Sequence, residues 1–181
     1  VLACGADAAH AVPLLGDLEP VRGRMERVGA RANGANVYVD YAHTPDAVET
    51  VLKTLRPHVT GRLHVIFGCG GDRDPGKRPL MAKAAADFAD VQILTDDNPR
   101  SEDPAAIRAD ALPGCPGATE IGERAEAIRQ GIAGLAKGDA LVIAGKGHEQ
   151  GQIVGDTVIP FDDAEVARSA LAAINGDGRA G

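Results

Sequence analysis

The chain has 181 residues and a net charge of −7, the length of one ordinary domain and enough to bury roughly 70% of the surface its unfolded form exposes. With three Phe, two Tyr and no Trp, its core must be built from small aliphatic residues. The negative charge is spread along the chain, which excludes a general nucleic-acid or anionic-membrane binder, since either needs clustered Lys and Arg.

Residues 1–20 are Ala-rich and helical in pattern, running into Pro13, and too short to be a domain. "VRGRMERVG" reads as a strand or a turn, and Asn36 to Asp40 as a clear strand. Thr44 is placed to cap a helix with Pro45 at its first position. That helix carries Val48, Val51, Leu52 and Leu55 at helical spacing. Strand and helix then alternate: "RLHVIFG", "GKRPLMAKAAADFA", "DVQILT", "PAAIRADAL", a short "ATEIG", "ERAEAIRQGIAGL" and "DALVIAG". "GQIVGDTVIPF" reads as two short strands joined at Gly155-Asp156. "DDAEVARSALAAI" closes as a helix capped by Asp162 or Asp163, and residues 175–181 are expected to form a disordered tail.

Alternation of this kind predicts an α/β fold, with a mostly parallel, Rossmann-like twisted sheet, helices on both faces and an antiparallel hairpin near the C-terminus. Apart from His64, "HVIF" and "LVIA" are apolar at every position, as expected of central strands covered on both sides. In such sheets ligands sit beyond the carboxyl ends of the strands. Four loops therefore converge on one rim: "DYAHTPD", "GCGGDRDPGKRP", "TDDNPR" and "GKGHEQ".

Each loop has its own chemistry. Gly71 to Lys77 fits GxxxxGK, but Arg78 replaces the hydroxyl that would bind Mg²⁺, Asp72 and Asp74 repel phosphate, and Pro75 has no N–H. The plainer reading is a Gly-rich turn with Arg73 ion-paired to its flanking aspartates. In "DDNPR", Pro99 stiffens the turn. Asn98 can donate and accept there, and Arg100 offers a planar fork suited to a carboxylate; otherwise Arg100 pairs with Asp96 or Asp97 in a capping loop. "GKGHEQ" offers Glu149 to an ammonium group, with Gly145 and Gly147 permitting close backbone approach. Its HE lacks the second His of a zinc helix. Asp40 can accept from ribose hydroxyls, whereas a lone His such as His43 is more often structural than ligand-binding. Both signs of charge on one rim suit a small zwitterion.

Cys4, Cys69 and Cys115 are odd in number, far apart and without a CxxC pair, which points to a reducing compartment, the cytoplasm. No apolar run approaches the ~20 residues of a spanning helix, and no signal peptide is visible. A chain beginning at Val1 without Met is expected to have lost a leader or to be a piece of a longer protein.

Taken in order, "GRMER", "VDYAHTPD", "VIFGCGGDRDPGKRPLM", "TDDNPR" and "IAGKGHEQGQIV" resemble the carboxyl-terminal domain of the Mur ligase family. The resemblance covers about Val21 to Ala172 and implies a domain over 21–174, with 1–20 as the remnant of a central ATPase domain. "DYAHTPD" and "GKGHE" mark the wider family, and "DNPR" marks its diaminopimelate-adding branch; lysine-adding relatives differ there. The implied reaction uses ATP and Mg²⁺ to make an acyl phosphate on the D-glutamate of a UDP-N-acetylmuramoyl-dipeptide, which an amine of meso-diaminopimelate then attacks. By the same resemblance Arg73, Asn98 and Arg100 bind the distal carboxylate, and Gly145 and Glu149 take the ammonium. Asp97, Lys146 and His148 also line that site. Arg24 approaches the ATP phosphates, Asp40 the ribose, and His43 the nucleotide. The family's phosphate loop and Mg²⁺ ligands are expected outside this chain, which alone is expected to be inactive. A lysine-adding domain and a non-catalytic zwitterion-binding module are the alternatives.

Overall fold

In the computed structural model, residues 5, 7–13 and 20–177 are described. A four-residue helix α1 (Ala8–Ala11), exposed along nearly its whole length and capped by Asp7, is the described part of the expected N-terminal helix. The rest of residues 1–20 lies outside the described residues, apart from Gly5, Val12, Pro13 and Pro20.

Eight strands follow: β1 (Glu26–Ala30), β2 (Asn36–Asp40), β3 (Leu63–Phe67), β4 (Val91–Leu94), β5 (Thr119–Glu120), β6 (Ala140–Ala144), β7 (Gly151–Val154) and β8 (Thr157–Pro160). The first six form one sheet in the order β1-β2-β6-β3-β4-β5. Every pairing in it is parallel except β1 with β2, which a short turn joins as a hairpin. "VRGRMERVG" thus supplies both a turn and an antiparallel edge strand. The central strands β3 and β6 are buried at every position, because helices cover both faces and leave no solvent side to favour alternation.

Helices α2 (Pro45–Leu55), α3 (Lys77–Phe88) and α4 (Pro104–Ala111) cover one face. There Leu52, Leu55, Met81, Ala85 and Ile107 pack with Val65, Phe67 and Val142. The other face takes α5 (Arg124–Ala133) and α6 (Asp163–Asp177), with Ile128, Ile132, Ala167 and Leu171 against Val37, Ile66, Leu141 and Ile143. The caps follow side-chain chemistry: the Thr44 hydroxyl accepts from the Ala47 amide at 3.3 Å, with Pro45 opening α2. At α6 the cap is Asp162, which accepts from the amides of Ala164 and Glu165, while Asp163 is the first helical residue. Residues 175–177, expected to belong to a disordered tail, are helical. Asn175 lies within α6, accepting from the Ala32 amide at 2.8 Å and donating to the Ala30 carbonyl at 3.1 Å, which ties the helix to β1. Residues 178–181 lie outside the described residues.

His64 is the one titratable side chain within β3 and is only 4% exposed, with Nε2 3.1 Å from an Asp139 oxygen. Burial pulls its pKa below the ordinary 6.5, and the Asp139 carboxylate resists that pull. The unfolded chain therefore binds a proton before the folded one does. Stability from this group is complete above about 6.5 and falls as pH drops through that value toward the folded pKa. Urea midpoints measured from pH 7.5 to 5.5 should decline, and His64→Gln, which can still donate to Asp139, should flatten the decline. An identical slope in the variant would refute this origin.

Candidate functional site

The loops after β2, β3, β4 and β6 meet at the carboxyl rim of the sheet around a cleft of about 330 Å³. His43, Arg73, Asp97, Asn98, Arg100, Gly145 and Glu149 all line it, joined by Tyr41, Cys69, Lys77 and Arg78. Seven of the residues singled out in the sequence are thus brought together. Arg24, Asp40, Lys146 and His148 are not among the lining residues.

The segment Asp97–Arg100 is the most heavily braced part of the rim. Asn98 is 4% exposed; its Oδ1 accepts from Lys146 Nζ at 2.6 Å and from the Ile153 amide at 3.0 Å, and its Nδ2 donates to Glu149 at 3.0 Å. The second N–H of the amide takes no partner among the described residues. Arg100 has a left-handed backbone, φ 52°, and its Nη1 donates to the Gly71 carbonyl at 2.8 Å. Among the described residues its Nε and Nη2 take no partner. Arg100 pairs with neither Asp96 nor Asp97, because Asp96 is taken by Arg108. The glycine loop is equally constrained: a Cβ on Gly71 would overlap the Pro99 carbonyl oxygen. Arg73 is exposed, and its Nη1 reaches only the Asp72 carbonyl. Asp72 instead accepts from Ser101 Oγ at 2.6 Å, so among the described residues no aspartate is ion-paired with Arg73. Arg78, at the place of the missing hydroxyl, is buried against Glu102 and Asp110.

Two carboxylates oppose these cations. Asp97 is 9% exposed, and its carboxylate makes no hydrogen bond to the described residues. Burial pushes its pKa up, against the pull of the Arg124 and Lys146 charges. Lys146 is fully buried, donating to Asn98 and to the Gly151 carbonyl at 2.8 Å; burial pushes its pKa down while Asp97 draws it up. Lys146 therefore underpins Asn98 and does not line the cleft. Gly145 has φ +121°, and a Cβ there would lie 2.6 Å from an Asp97 oxygen, so this glycine makes room for Asp97. Cys69 beside it is a thiol pushed up to about 12 by burial, too high for a nucleophile.

Beside the cleft lies a second cluster centred on Tyr41. The Arg24 guanidinium stands 4.8 Å from its ring centroid, and the rings of His43 and His148 lie 4.5 and 5.0 Å away. His148 is exposed and belongs to this cluster. Asp40 is 6% exposed; its two oxygens accept from the Met25 amide at 2.7 Å and the Ala42 amide at 2.8 Å. Asp40, expected as a ribose ligand, also shapes the turns that carry Arg24 and His43. Sequence reasoning missed Tyr41, although its place inside "DYAHTPD" was a signal, and Arg124, which sits in an ordinary helical pattern.

Residues 23–147 match the family model described as Mur ligase, glutamate ligase domain. A relative from Caulobacter vibrioides, named UDP-N-acetylmuramoyl-L-alanyl-D-glutamate–2,6-diaminopimelate ligase, is 55% identical over 174 residues, covering 96% of this chain and 36% of the relative. One of the same name from Bradyrhizobium diazoefficiens is 59% identical over 168 residues, covering 93% and 34%. A solved structure of a ligase of that name has a TM-score of 0.81 at 46% identity, covering 94% of this chain and 36% of that one. A UDP-N-acetylmuramate-alanine ligase from Thermotoga maritima, at TM-score 0.64 and 20% identity, shares the fold. The chain spans about a third of the length of these relatives.

Because the Pro99 carbonyl passes against Gly71, Gly71→Ala must push the two loops apart. The variant should lose about 1–3 kcal/mol of stability, as overpacked sites do. Urea unfolding would show this, and an unchanged midpoint would contradict the close packing of these loops.

Proposed function

The chain belongs to the Mur ligase family, and from that premise we propose that it is the amino-acid-binding part of an ATP-dependent ligase. The reaction is addition of meso-diaminopimelate to UDP-N-acetylmuramoyl-L-alanyl-D-glutamate, in the cytoplasm, during peptidoglycan synthesis. The observation that carries this reading is the set of charges lining the cleft: Arg73 and Arg100, whose Nε and Nη2 take no partner among the described residues, together with Asp97 and Glu149. One centre of diaminopimelate presents a carboxylate and an ammonium a single carbon apart, and this arrangement matches both.

In this reading Arg100 and Arg73 take the distal carboxylate, with the remaining N–H of Asn98. Glu149 and Asp97 take the ammonium beside Gly145, and Lys146 holds Asn98 and Glu149 in register from below. Fixing that end leaves the far amine to attack an acyl phosphate built on the dipeptide. Arg24 and His43 face the nucleotide side, where ATP supplies the phosphoryl group. Among the described residues no group of three or more His, Cys, Asp or Glu is placed to hold a metal; the Mg²⁺ ligands belong, in this reading, to the parts of the ligase outside this chain.

Lysine lacks the distal carboxylate and would leave Arg100 and Asn98 donors unpaired, a mismatch that costs on the order of 10⁴-fold in a site built for the polar group. Titration calorimetry should find meso-diaminopimelate bound and L-lysine bound far more weakly. Arg100→Met should weaken the first by on the order of 10–100-fold and leave the second unchanged. Equal binding of both would favour a lysine-adding domain.

Proton release gives a second test. Burial raises the Asp97 pKa in the empty site, and an arriving ammonium favours the carboxylate. Affinity should therefore rise with pH through the free-site pKa, with protons released below it. Calorimetry in buffers of different ionisation enthalpy reads that release, and Asp97→Asn should abolish it. Release persisting in the variant would assign the proton elsewhere.

A further inference from the structure

The β7–β8 hairpin stands apart from the main sheet, and β8 is exposed at every position. Its first strand and the turn that follows nevertheless grip the Asp97–Arg100 segment at four points. Gln152 Nε2 donates to the Asp97 carbonyl at 2.7 Å, and the Ile153 amide donates to Asn98 Oδ1 at 3.0 Å. The Arg100 amide donates to the Ile153 carbonyl at 3.0 Å, and the Gly155 amide donates to the Arg100 carbonyl at 2.7 Å. Arg100 and Val154 thereby form an isolated parallel bridge. Both main-chain polar groups of Arg100 are occupied by the hairpin, at a residue whose φ of 52° is disfavoured for any side chain other than glycine. An unfavourable backbone persists only where its surroundings over-determine it, and here those surroundings are β7 and its turn. From that backbone Nη1 reaches the Gly71 carbonyl, which leaves the rest of the guanidinium on the cleft. With φ relaxed to a negative value, the side chain would leave this direction.

We propose that the hairpin is the specificity device of the amino-acid site. Gln152 and Gly155, neither of which lines the cleft, are positioning residues that hold Arg100 in the left-handed backbone from which it meets a carboxylate. The inference rests on the proposed amino-acid site and extends it to residues that touch no substrate. Gly155 has two tasks: it supplies the N–H that holds the Arg100 carbonyl, and it turns the hairpin with φ +57°. A Cβ at this position would meet open space, so a substitution acts through the backbone alone. Gly155→Pro removes the N–H and cannot adopt the positive φ. Gly155→Asn keeps the N–H and tolerates the left-handed region.

The test titrates the unmodified chain, Gly155→Pro, Gly155→Asn and Gln152→Leu with meso-diaminopimelate and with L-lysine, and measures amide exchange at Arg100 by NMR. Gly155→Pro should weaken meso-diaminopimelate about tenfold, the scale of one lost ordering contact. It should leave lysine where it was and expose the Arg100 amide to exchange. Gly155→Asn should restore both readouts, and Gln152→Leu should fall between. The inference is overturned if Gly155→Pro binds like the unmodified chain, or if diaminopimelate and lysine weaken alike with no rescue by Asn. If the unmodified chain binds neither amino acid, the amino-acid site itself is refuted and the specificity role with it. The grip on Arg100 is then still decided by exchange: protection lost in Gly155→Pro supports it, and protection unchanged refutes it.

Discussion

A guanidinium with no exposed surface holds the rim together. Arg124 donates through Nε and Nη2 to both oxygens of Asp163, each at 2.8 Å, and the two side chains are completely buried. The same Nη2 donates to the Ala144 carbonyl at 3.0 Å, and Nη1 to the Asp96 carbonyl at 3.3 Å. One side chain thereby joins the start of α5, the start of α6, the end of β6 and the entry to the Asp97–Arg100 segment. Burial works against its charge, and the Asp163 carboxylate outweighs that penalty, keeping the guanidinium ionised. Removing one partner of such a pair typically costs 3–5 kcal/mol, because the other is left buried and unpaired.

This anchor explains the uneven charge chemistry nearby. Arg108 and Arg78 are neutralised by acidic partners and serve the framework. Asp97 sits near the buried charges of Arg124 and Lys146, yet its carboxylate accepts no hydrogen bond from the described residues. Glu149 keeps one third of its side chain exposed at the cleft. Charges of both signs therefore meet at the cleft, on a frame whose Arg78, Arg108 and Arg124 are ion-paired. A buried carboxylate without a donor is costly to stability, and proteins retain such groups where a ligand completes them.

The hairpin adds a second layer to the same design. It contributes little to the core, with Val154, Val158 and Ile159 exposed, and its inner strand is joined to the segment that carries Asn98 and Arg100. The bracing runs from three directions: Lys146 from below, β7 from the side and Gly71 from the facing loop. Recognition of a short polar ligand requires this rigidity, since a carboxylate gains from a guanidinium only where the fork is already aimed.

Much of this was legible in the amino-acid order. The largely apolar runs of β3 and β6, Thr44 before Pro45, Gly155-Asp156 between two short strands, and four polar loops each following a strand are local patterns. They depend on residues a few positions apart, and the physics that reads them, periodicity and turn chemistry, is equally short-range. Which side of each loop faces the cleft was decided by tertiary structure. Lys146 turned inward to Asn98, 48 positions earlier; Asp40 was engaged by the Met25 amide, 15 earlier; and Arg124 met Asp163, 39 later. Nothing local distinguishes Arg124 from Arg129, one exposed and the other fully buried. Burial and pairing at those separations exist only once β6 has inserted between β2 and β3, and that placement is a property of the closed sheet.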